Sequence, residues 1–334
     1  MLARLLLLAA LLAGQSVAAQ RAVIALEDRT PPVLFAADDI EAALRARDFR
    51  VQRTEEWRAD GLQADVIVRF ARVEGSGDPG FEKIAPEGFQ LRNVPLEEHR
   101  ELVVLSIDAA GAMYGGLELA EQIRTGGVAA VVDMDRNPYM PLRGTKFNIP
   151  LDLRTPGYSD MSDSAQANIA TVWDFGFWRA YLDQLARDRY NMVSLWSLHP
   201  FPSMVKVPEY PEVALDDVWR SKIRFEEDYS TRTTDIVTPA MLADKEVVKR
   251  LTVAQKIDFW RRVMQYAHDR HIAFYIVTWN IYTYGVGGKY GITDDPGNRK
   301  TIDYFRASVR ELFRTYPLLA GIGLTAGENM GDAS

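Results

Sequence analysis

Four apolar runs separated by amphipathic stretches occupy the second half of the chain, and each run predicts a β-strand. The runs lie at residues 143–150, 191–198, 272–279 and 319–324. Helices are predicted between them at 175–189, from a capping box of Thr252 and Gln255 onward, and at 302–316. A polar loop through 163 and a long insertion at 202–250 complete this half. Strands that alternate with helices in this way predict a parallel sheet with right-handed crossovers.

The first half of the chain has shorter and less regular elements. The pattern predicts strands at 22–26, 64–70 and 102–107, a hairpin segment at 80–94, a helix that ends at 47 and a helix at 110–124. We expect Asp38 or Asp39 to cap the first helix. Gly111, Gly115 and Gly116 do not match the dinucleotide-binding fingerprint, so we expect them to let the second helix pack closely on the sheet.

Three segments of this first half carry a resemblance to a known family. They are Glu87-Gly-Phe89, Leu102-Val-Val-Leu105 and Gly111-Ala-Met-Tyr-Gly-Gly-Leu-Glu-Leu119. In this order they resemble the accessory domain that precedes the catalytic barrel of bacterial β-hexosaminidases and xylan α-glucuronidases. The resemblance implies that a (β/α)8 glycosidase barrel follows, and it does not fix the substrate.

The four later strands fit either the first half of a (β/α)8 barrel or an open, doubly wound sheet. Polar and aromatic side chains gather just past the strand ends, as in barrel enzymes, and no strand leads into a dinucleotide fingerprint. We therefore predict an α/β protein, with an α/β accessory domain at 21–140 followed by the first half of a (β/α)8 TIM barrel at 141–334. A complete barrel needs eight strands in about 250 residues, so we expect a truncated and catalytically incomplete barrel.

The N-terminal residues 1–20 have the composition of a secretory signal peptide, although an uncleaved anchor is the alternative. Arg4 precedes a short apolar core, and small residues at 17–19 suit cleavage. We expect a secreted or periplasmic protein with no membrane contact after cleavage. A net charge of −7 without a basic run argues against a nucleic-acid partner. The chain has no cysteine and only 4 scattered histidines, so we expect no metal and no cofactor.

The leading catalytic candidate is Glu328, because it follows the last apolar strand in a Gly-rich turn. A buried strand that ends on a carboxylate is how a barrel enzyme presents a catalytic group. Glycoside hydrolysis needs an acid that protonates the leaving oxygen and a second carboxylate that acts as nucleophile or base. The resemblance implies that the acid lies at the tip of the fourth strand, where Glu328 falls. The alternative is a solvated turn glutamate.

The other candidates are polar or aromatic residues near the strand ends, and all are assigned to substrate binding. They are Lys146, Asn148, Arg154, His199, Trp279, Asn280 and Asn329. One of the two cations could bind a substrate carboxylate, although a salt bridge to Asp152 or Asp160 is the favoured alternative. Trp279 could stack on a sugar or belong to the core, and His199 could bind substrate or be structural.

The second carboxylate has no candidate on a predicted strand. Hexosaminidase barrels place an aspartate directly before the acid, whereas Gly327 occupies that position here. The resemblance to α-glucuronidases implies that the second carboxylate comes from a later strand. The sequence thus predicts a glycoside hydrolase for an oligo- or polysaccharide, with a uronic acid as one expected component. A non-catalytic carbohydrate-binding protein of the same fold is the alternative.

Overall fold

The computed structural model describes residues 19–55, 63–73, 84–157, 162–225, 239–279 and 282–325. The chain divides into two compact units, Met1–Tyr139 and Met140–Ser334. Three candidate residues, Asn280, Glu328 and Asn329, lie outside the described residues, as does almost all of the expected signal peptide. In the described part of the chain, no helix is long and apolar enough to cross a membrane.

The described residues of the first unit form one mixed sheet of six strands and two α-helices. Its strands are β1 (Arg21–Ala25), β2 (Arg50–Thr54), β3 (Val66–Arg72), β4 (Phe89–Pro95), β5 (Arg100–Ser106) and β6 (Met134–Arg136), and its helices are α1 (Pro31–Arg45) and α2 (Ala109–Gly126). The strand order is β2-β1-β3-β5-β4-β6, in which β4 is antiparallel to β5 and β6 and the other pairs are parallel. The strand predicted at 102–107 corresponds to β5, which lies inside the sheet between β3 and β4.

Helix α1 begins earlier than the sequence predicts. Thr30 is its N-cap and two prolines open its first turn, so Asp38 and Asp39 lie inside the helix and do not cap it. Both carboxylates bind arginines instead: Asp38 accepts a hydrogen bond from Arg53, and Asp39 accepts one from Arg124. The prediction failed because two consecutive prolines supply a fixed backbone φ that suits a helix start.

The glycines of α2 allow close packing, as expected. A Cβ atom added to Gly115 would lie 2.6 Å from Val104 Cγ1, and one added to Gly111 would lie 2.1 Å from the carbonyl oxygen of Gly88. Asp108 caps the helix by accepting hydrogen bonds from the backbone N–H groups of Gly111 and Glu87. The segments that carry the family resemblance therefore meet at the start of α2.

The second unit contains a parallel sheet that packs against helices on one face, together with a small antiparallel hairpin. Its strands are β7 (Gly144–Asn148), β8 (Met192–Trp196), β9 (Val218–Ser221), β10 (Lys245–Lys249), β11 (Ala273–Trp279) and β12 (Leu319–Thr325). Its helices are α3 (Asp163–Val172), α4 (Phe175–Arg187), α5 (Phe201–Met204), α6 (Pro239–Ala243), α7 (Val253–His268) and α8 (Arg299–Thr315). The capping box at the start of α7 is confirmed, because Thr252 and Gln255 exchange side chain–backbone hydrogen bonds.

The four long parallel strands follow one another in the sheet in chain order, β7-β8-β11-β12. A doubly wound sheet reverses its strand order at a switch point, whereas a barrel adds each new strand on the same side. The order in the described residues has no such reversal. The fold class is therefore mixed α/β with the parallel strands of a partial barrel, which confirms the prediction.

Five described elements of this unit are not predicted by the sequence pattern: the helices α3, α5 and α6 and the strands β9 and β10. Helix α3 begins directly after the predicted polar loop, where Ser162 caps it by accepting from the backbone N–H of Ala165. Strands β9 and β10 pair in antiparallel fashion within the predicted insertion. They are short and charged, so they lack the apolar run that identifies a buried strand.

The core of the second unit lies between the parallel sheet and helices α4 and α7. Trp178 and Trp260 are fully buried, and their ring centroids are 5.4 Å apart. Phe274 from β11 packs against both indoles, and Phe147 from β7 stacks near Trp178. These contacts show which face of the sheet meets the helices, and the opposite face carries the candidate site.

Candidate active site

Alternation along the strands divides the side chains of the parallel sheet into two sets. Thr145 and Phe147 point to the helices, since the Thr145 hydroxyl lies 2.7 Å from the Tyr181 hydroxyl of α4. Lys146 and Asn148 therefore lie on the opposite face, which we call the inner face. The register aligns Asn148 with Trp196 of β8, so both belong to that face.

A lysine and two tryptophans form a cluster on the inner face. The Lys146 ammonium lies 4.4 Å from the ring centroid of Trp196. The Trp196 indole also meets Trp279 in an edge-on contact, with centroids 5.5 Å apart. Lys146 is exposed, Trp196 is half-buried, and Trp279 is only 2% exposed. Two of the predicted site residues, Lys146 and Trp279, thus meet through Trp196, and Asn148 lies beside Trp196 in the register.

The loop after β11 adds two tyrosines to this cluster. The rings of Tyr282 and Tyr284 stack 5.4 Å apart at an interplanar angle of 14°, and both are half-buried. They pack against Trp279 and Leu198. Aromatic faces and hydroxyl groups suit the binding of sugars, which have apolar C–H faces and polar rims. Trp279 thereby serves as the buried base of an aromatic surface.

His199 is fully buried, and both ring nitrogens have protein partners. Its Nδ1 lies against the backbone carbonyl oxygen of Tyr284, and its Nε2 lies 2.9 Å from the Tyr304 hydroxyl. In the neutral tautomer that satisfies both, Nδ1–H donates to the carbonyl and Nε2 accepts from the hydroxyl. Burial lowers the pKa of His199 to about 4. This environment favours the structural alternative for His199.

Arg154 takes part in a buried ion pair. Its Nε lies 2.7 Å from Oδ1 of Asp152, which is fully buried, and its Nη2 lies 2.9 Å from Oδ2. Nη2 also donates to the backbone carbonyl oxygens of Asp216 and Asp217. Nearby, burial lowers the pKa of Lys256 to about 8, although the charge of Asp152 opposes this shift. The salt-bridge alternative for Arg154 is therefore the one that the geometry favours.

Lys146 differs from Arg154 in its partners. The described residues give it one contact, the aromatic face of Trp196, and no carboxylate. An aromatic face attracts a cation but does not neutralise its charge. Of the two predicted cations, Lys146 is thus the one that is placed to receive an anionic ligand.

Trp196 is the residue that sequence reasoning missed. It lies in a predicted strand and was interpreted only as part of it. The signal was its alternation with Ser194, which repeats the spacing of Asn148 and Lys146 on the neighbouring strand. The Trp196 Nε1–H donates to the Ser194 hydroxyl at 2.7 Å, so the indole has a fixed orientation.

A separate apolar groove of about 550 Å³ lies on the helix-facing side of β12. Phe201, Phe305, Ile322 and Leu324 line it. Although it is large, it has no carboxylate among its lining residues and faces away from Lys146. The inner face, with its cation, amide and aromatic side chains, is therefore the better candidate for chemistry.

No protein-family model and no curated protein matches this sequence. Solved structures do match. A GH138 enzyme targeting pectin rhamnogalacturonan II is similar over 91% of this chain and 30% of its own, with a TM-score of 0.59 and 21% identity. The GH20 β-N-acetylhexosaminidase from Streptomyces coelicolor A3(2) is similar over 94% of this chain and 56% of its own, with a TM-score of 0.51 and 15% identity.

A mutant Streptomyces plicatus β-hexosaminidase in complex with its product GlcNAc is similar over 89% of this chain and 53% of its own. Its TM-score is 0.50 and its identity is 14%. This chain therefore spans between about a third and just over half of the length of these structures. At such low identity the likeness establishes the fold, an α/β unit followed by the parallel strands of a barrel.

Proposed function

We propose that the protein is a glycoside hydrolase with Glu328 as its general acid. The observation that carries the proposal is the position of β12, which is the fourth parallel strand and ends three residues before Glu328. Catalytic groups of barrel enzymes lie at the carboxyl ends of their strands. The similar solved structures belong to enzymes that act on pectin or release GlcNAc, which supports the same class of reaction.

The acid must be protonated near neutral pH to donate to a leaving oxygen. A glutamate does so only if burial or a neighbouring negative charge raises its pKa. The second carboxylate is expected from a further barrel strand, where it acts as nucleophile or base.

The proposal excludes acetamido-assisted catalysis, although two of the similar structures are hexosaminidases. That mechanism uses an aspartate directly before the acid, and Gly327 stands there in this sequence. A glycine has no side chain with which to orient an acetamido group. The proposed substrate is therefore a polysaccharide-derived glycoside that does not depend on an N-acetyl group.

We propose further that the substrate contains a uronic acid and that Lys146 binds its carboxylate. Arg154 forms an ion pair with Asp152, whereas Lys146 is exposed on the inner face and contacts only an indole among the described residues. An ammonium–carboxylate contact is a charge-assisted hydrogen bond, stronger than a neutral one. Asn148, on the same strand face, and the aromatic side chains suit the neutral parts of the sugar.

The test of the proposed acid is the Glu328→Gln variant of the protein encoded by the complete gene. On glycosides with a poor leaving group, such as alkyl glycosides, we expect turnover to fall by about 10²- to 10⁴-fold. On nitrophenyl glycosides the loss should be much smaller, because this leaving group departs without protonation. The control is Glu121→Gln, an exposed glutamate on α2 that should leave both rates unchanged.

Equal rates for Glu328→Gln and the wild type on alkyl glycosides would reject Glu328 as the acid. Sugar binding without turnover of any glycoside by the wild type would favour the carbohydrate-binding alternative. Export is part of the proposal as well, with residues 1–20 as the signal that directs the protein to the periplasm or the medium.

A further inference from the structure

The contact between Lys146 and Trp196 joins two adjacent strands at the candidate site. Lys146 lies on β7 and Trp196 on β8, and the register pairs Lys146 with Ser194. The ammonium lies 4.4 Å from the Trp196 ring centroid, well within the range of a cation–π interaction. A long, flexible lysine side chain thus has a defined resting position on an aromatic face.

The Trp196 ring is held on two other sides. Its Nε1–H donates to the hydroxyl of Ser194, which is 7% exposed, and its ring meets the buried Trp279 in an interplanar angle of 69°. Both contacts come from strands of the same sheet, so the indole cannot rotate without breaking one of them. The indole is therefore a fixed platform, and the lysine is the adaptable partner.

The indole of Trp196 and a carboxylate would affect the charge of Lys146 in different ways. A carboxylate would cancel the lysine charge, whereas an aromatic face orients the ammonium and leaves its charge available. The Arg154–Asp152 pair illustrates the first case, because its two charges are in contact. Lys146 illustrates the second case, since it is exposed and has no carboxylate partner among the described residues.

We infer that Trp196 is a specificity-determining residue, which positions the Lys146 ammonium to select sugars that carry a carboxylate. The inference rests on the proposed function, because it assigns the substrate class of that same site. Trp196 acts through Lys146, and Ser194 acts through Trp196. The ligand class is a uronic acid, in preference to the neutral hexose with the same ring stereochemistry.

The experiment compares the affinity of hexuronates with that of the matching neutral hexoses by calorimetry. The probes are glucuronate against glucose and galacturonate against galactose. Wild type should bind one hexuronate more tightly than its hexose. Trp196→Leu should reduce this preference by about three- to tenfold, and Trp196→Phe should retain most of it, because a phenyl ring still attracts the cation.

A matched control is available in the hairpin of β9 and β10. There the Lys245 ammonium lies 5.6 Å from the ring centroid of Trp219, far along the chain from the candidate site. Trp219→Leu removes the same kind of contact and should leave the hexuronate preference intact. Ser194→Ala removes the hydrogen bond that orients the indole and leaves Lys146 and Trp196 themselves unchanged. This variant should lower the hexuronate preference by about twofold. Thermal unfolding of each variant shows whether it is folded.

A Trp196→Leu protein that keeps the full hexuronate preference would overturn the inference, and so would a wild type without any preference. Failure of the proposed function has a different signature. In that case the hexuronate preference and its dependence on Trp196 persist, while neither alkyl nor nitrophenyl glycosides are turned over. If Trp196→Leu does not fold, Ser194→Ala decides the matter, because an unchanged hexuronate preference in that variant would contradict the role of the platform.

Discussion

The two faces of the four-stranded sheet use the same residue types for opposite purposes. On the helix-facing side, Trp178 is fully buried and touches other rings, and its Nε1–H donates to the backbone carbonyl oxygen of Val172. On the inner face, Trp196 is half-buried and touches a cation, and its Nε1–H donates to the Ser194 side chain. One tryptophan is anchored to the backbone inside a core, and the other is anchored to a polar side chain at a surface.

The difference shows how a sheet separates stability from binding. The helix-facing side gains free energy from the burial of large apolar surfaces, roughly in proportion to their area. The inner face at the strand ends keeps part of its aromatic surface and its cation in contact with solvent, where a ligand can replace the water. Changes on the first face should therefore affect folding, and changes on the second should affect ligand affinity.

The largest effect is expected from Trp178→Ala. It removes a fully buried indole that packs on Trp260 and Phe274, and we expect the free energy of unfolding to fall by about 3–5 kcal/mol. Trp196→Ala should cost only about 1–2 kcal/mol, because its ring is half-buried and makes one cation–π contact. Denaturant unfolding measures both values.

The comparison between the two faces fails if the order of these two stability losses is reversed. A larger loss of stability for Trp196→Ala than for Trp178→Ala would mean that the inner face is the true core. Sugar affinity gives the second readout. It should change strongly in Trp196→Ala and little in a partially destabilised helix-facing variant, measured under conditions in which both variants are folded.

Much of the fold could be predicted because it depends on local periodicity. The parallel strands β8, β11 and β12 are apolar runs, and the capping box of Thr252 and Gln255 is a local pairing three residues apart. The packing of the α2 glycines was also predictable, since small residues at a helix start imply a close neighbour. These signals need no knowledge of distant parts of the chain.

The errors concern features in which several signals compete. On α4 two neighbouring aromatic residues differ in burial, since Trp178 is fully buried and Phe177 is half-buried. Neighbouring aromatics on a helix differ by about 100° in direction, so a small error in phase exchanges them. Strands β9 and β10 pair two charged segments that have no apolar run, which local periodicity cannot detect.

Candidate site residues could be proposed from the sequence, but their partners could not. His199 meets Tyr304, a residue 105 positions away, and Arg154 meets Asp152 in a buried ion pair. The sequence places both beside strand ends, which is also where ligand-binding residues lie. Only three-dimensional contacts separate a histidine with two protein partners from a lysine that rests on an indole.

The second effect in size is the pH dependence that His199 confers on stability. Its pKa is lowered by burial to about 4, against about 6.5 in an unfolded chain. Between these values the unfolded chain binds a proton that the folded chain does not bind, so stability falls as the pH is lowered from 6.5 to 4. We expect this single group to remove about 3 kcal/mol over the window.

His199→Gln isolates that contribution, because glutamine can donate and accept a hydrogen bond but does not titrate. The wild type should be the more stable protein at pH 7, and its advantage should shrink by about 2–3 kcal/mol at pH 4.5. Urea unfolding at the two pH values measures the difference. An advantage that is the same at both pH values would mean that His199 binds its proton as readily in the folded chain as in the unfolded chain. That result would contradict its fully buried position between Tyr284 and Tyr304.

The smallest effect concerns the glycines of β12 on the inner face. Gly323 is in register with Val277, and an added Cβ would lie 2.9 Å from a Val277 methyl carbon. Valine is branched at Cβ and has few rotamers, so it cannot move aside without strain. At Gly321 the neighbour is the edge of the Tyr275 ring, at 3.0 Å, which can tilt away.

Gly323→Ala should therefore lower the free energy of unfolding by about 1 kcal/mol. A clash of about 1–3 kcal/mol is partly offset by the smaller backbone freedom of alanine in the unfolded chain. Gly321→Ala should be close to neutral, since the tilted ring relieves most of its clash. If Gly323→Ala proved stabilising instead, the side chains of β11 would not lean over β12, and the inner face would be more open than the faces of a packed barrel interior.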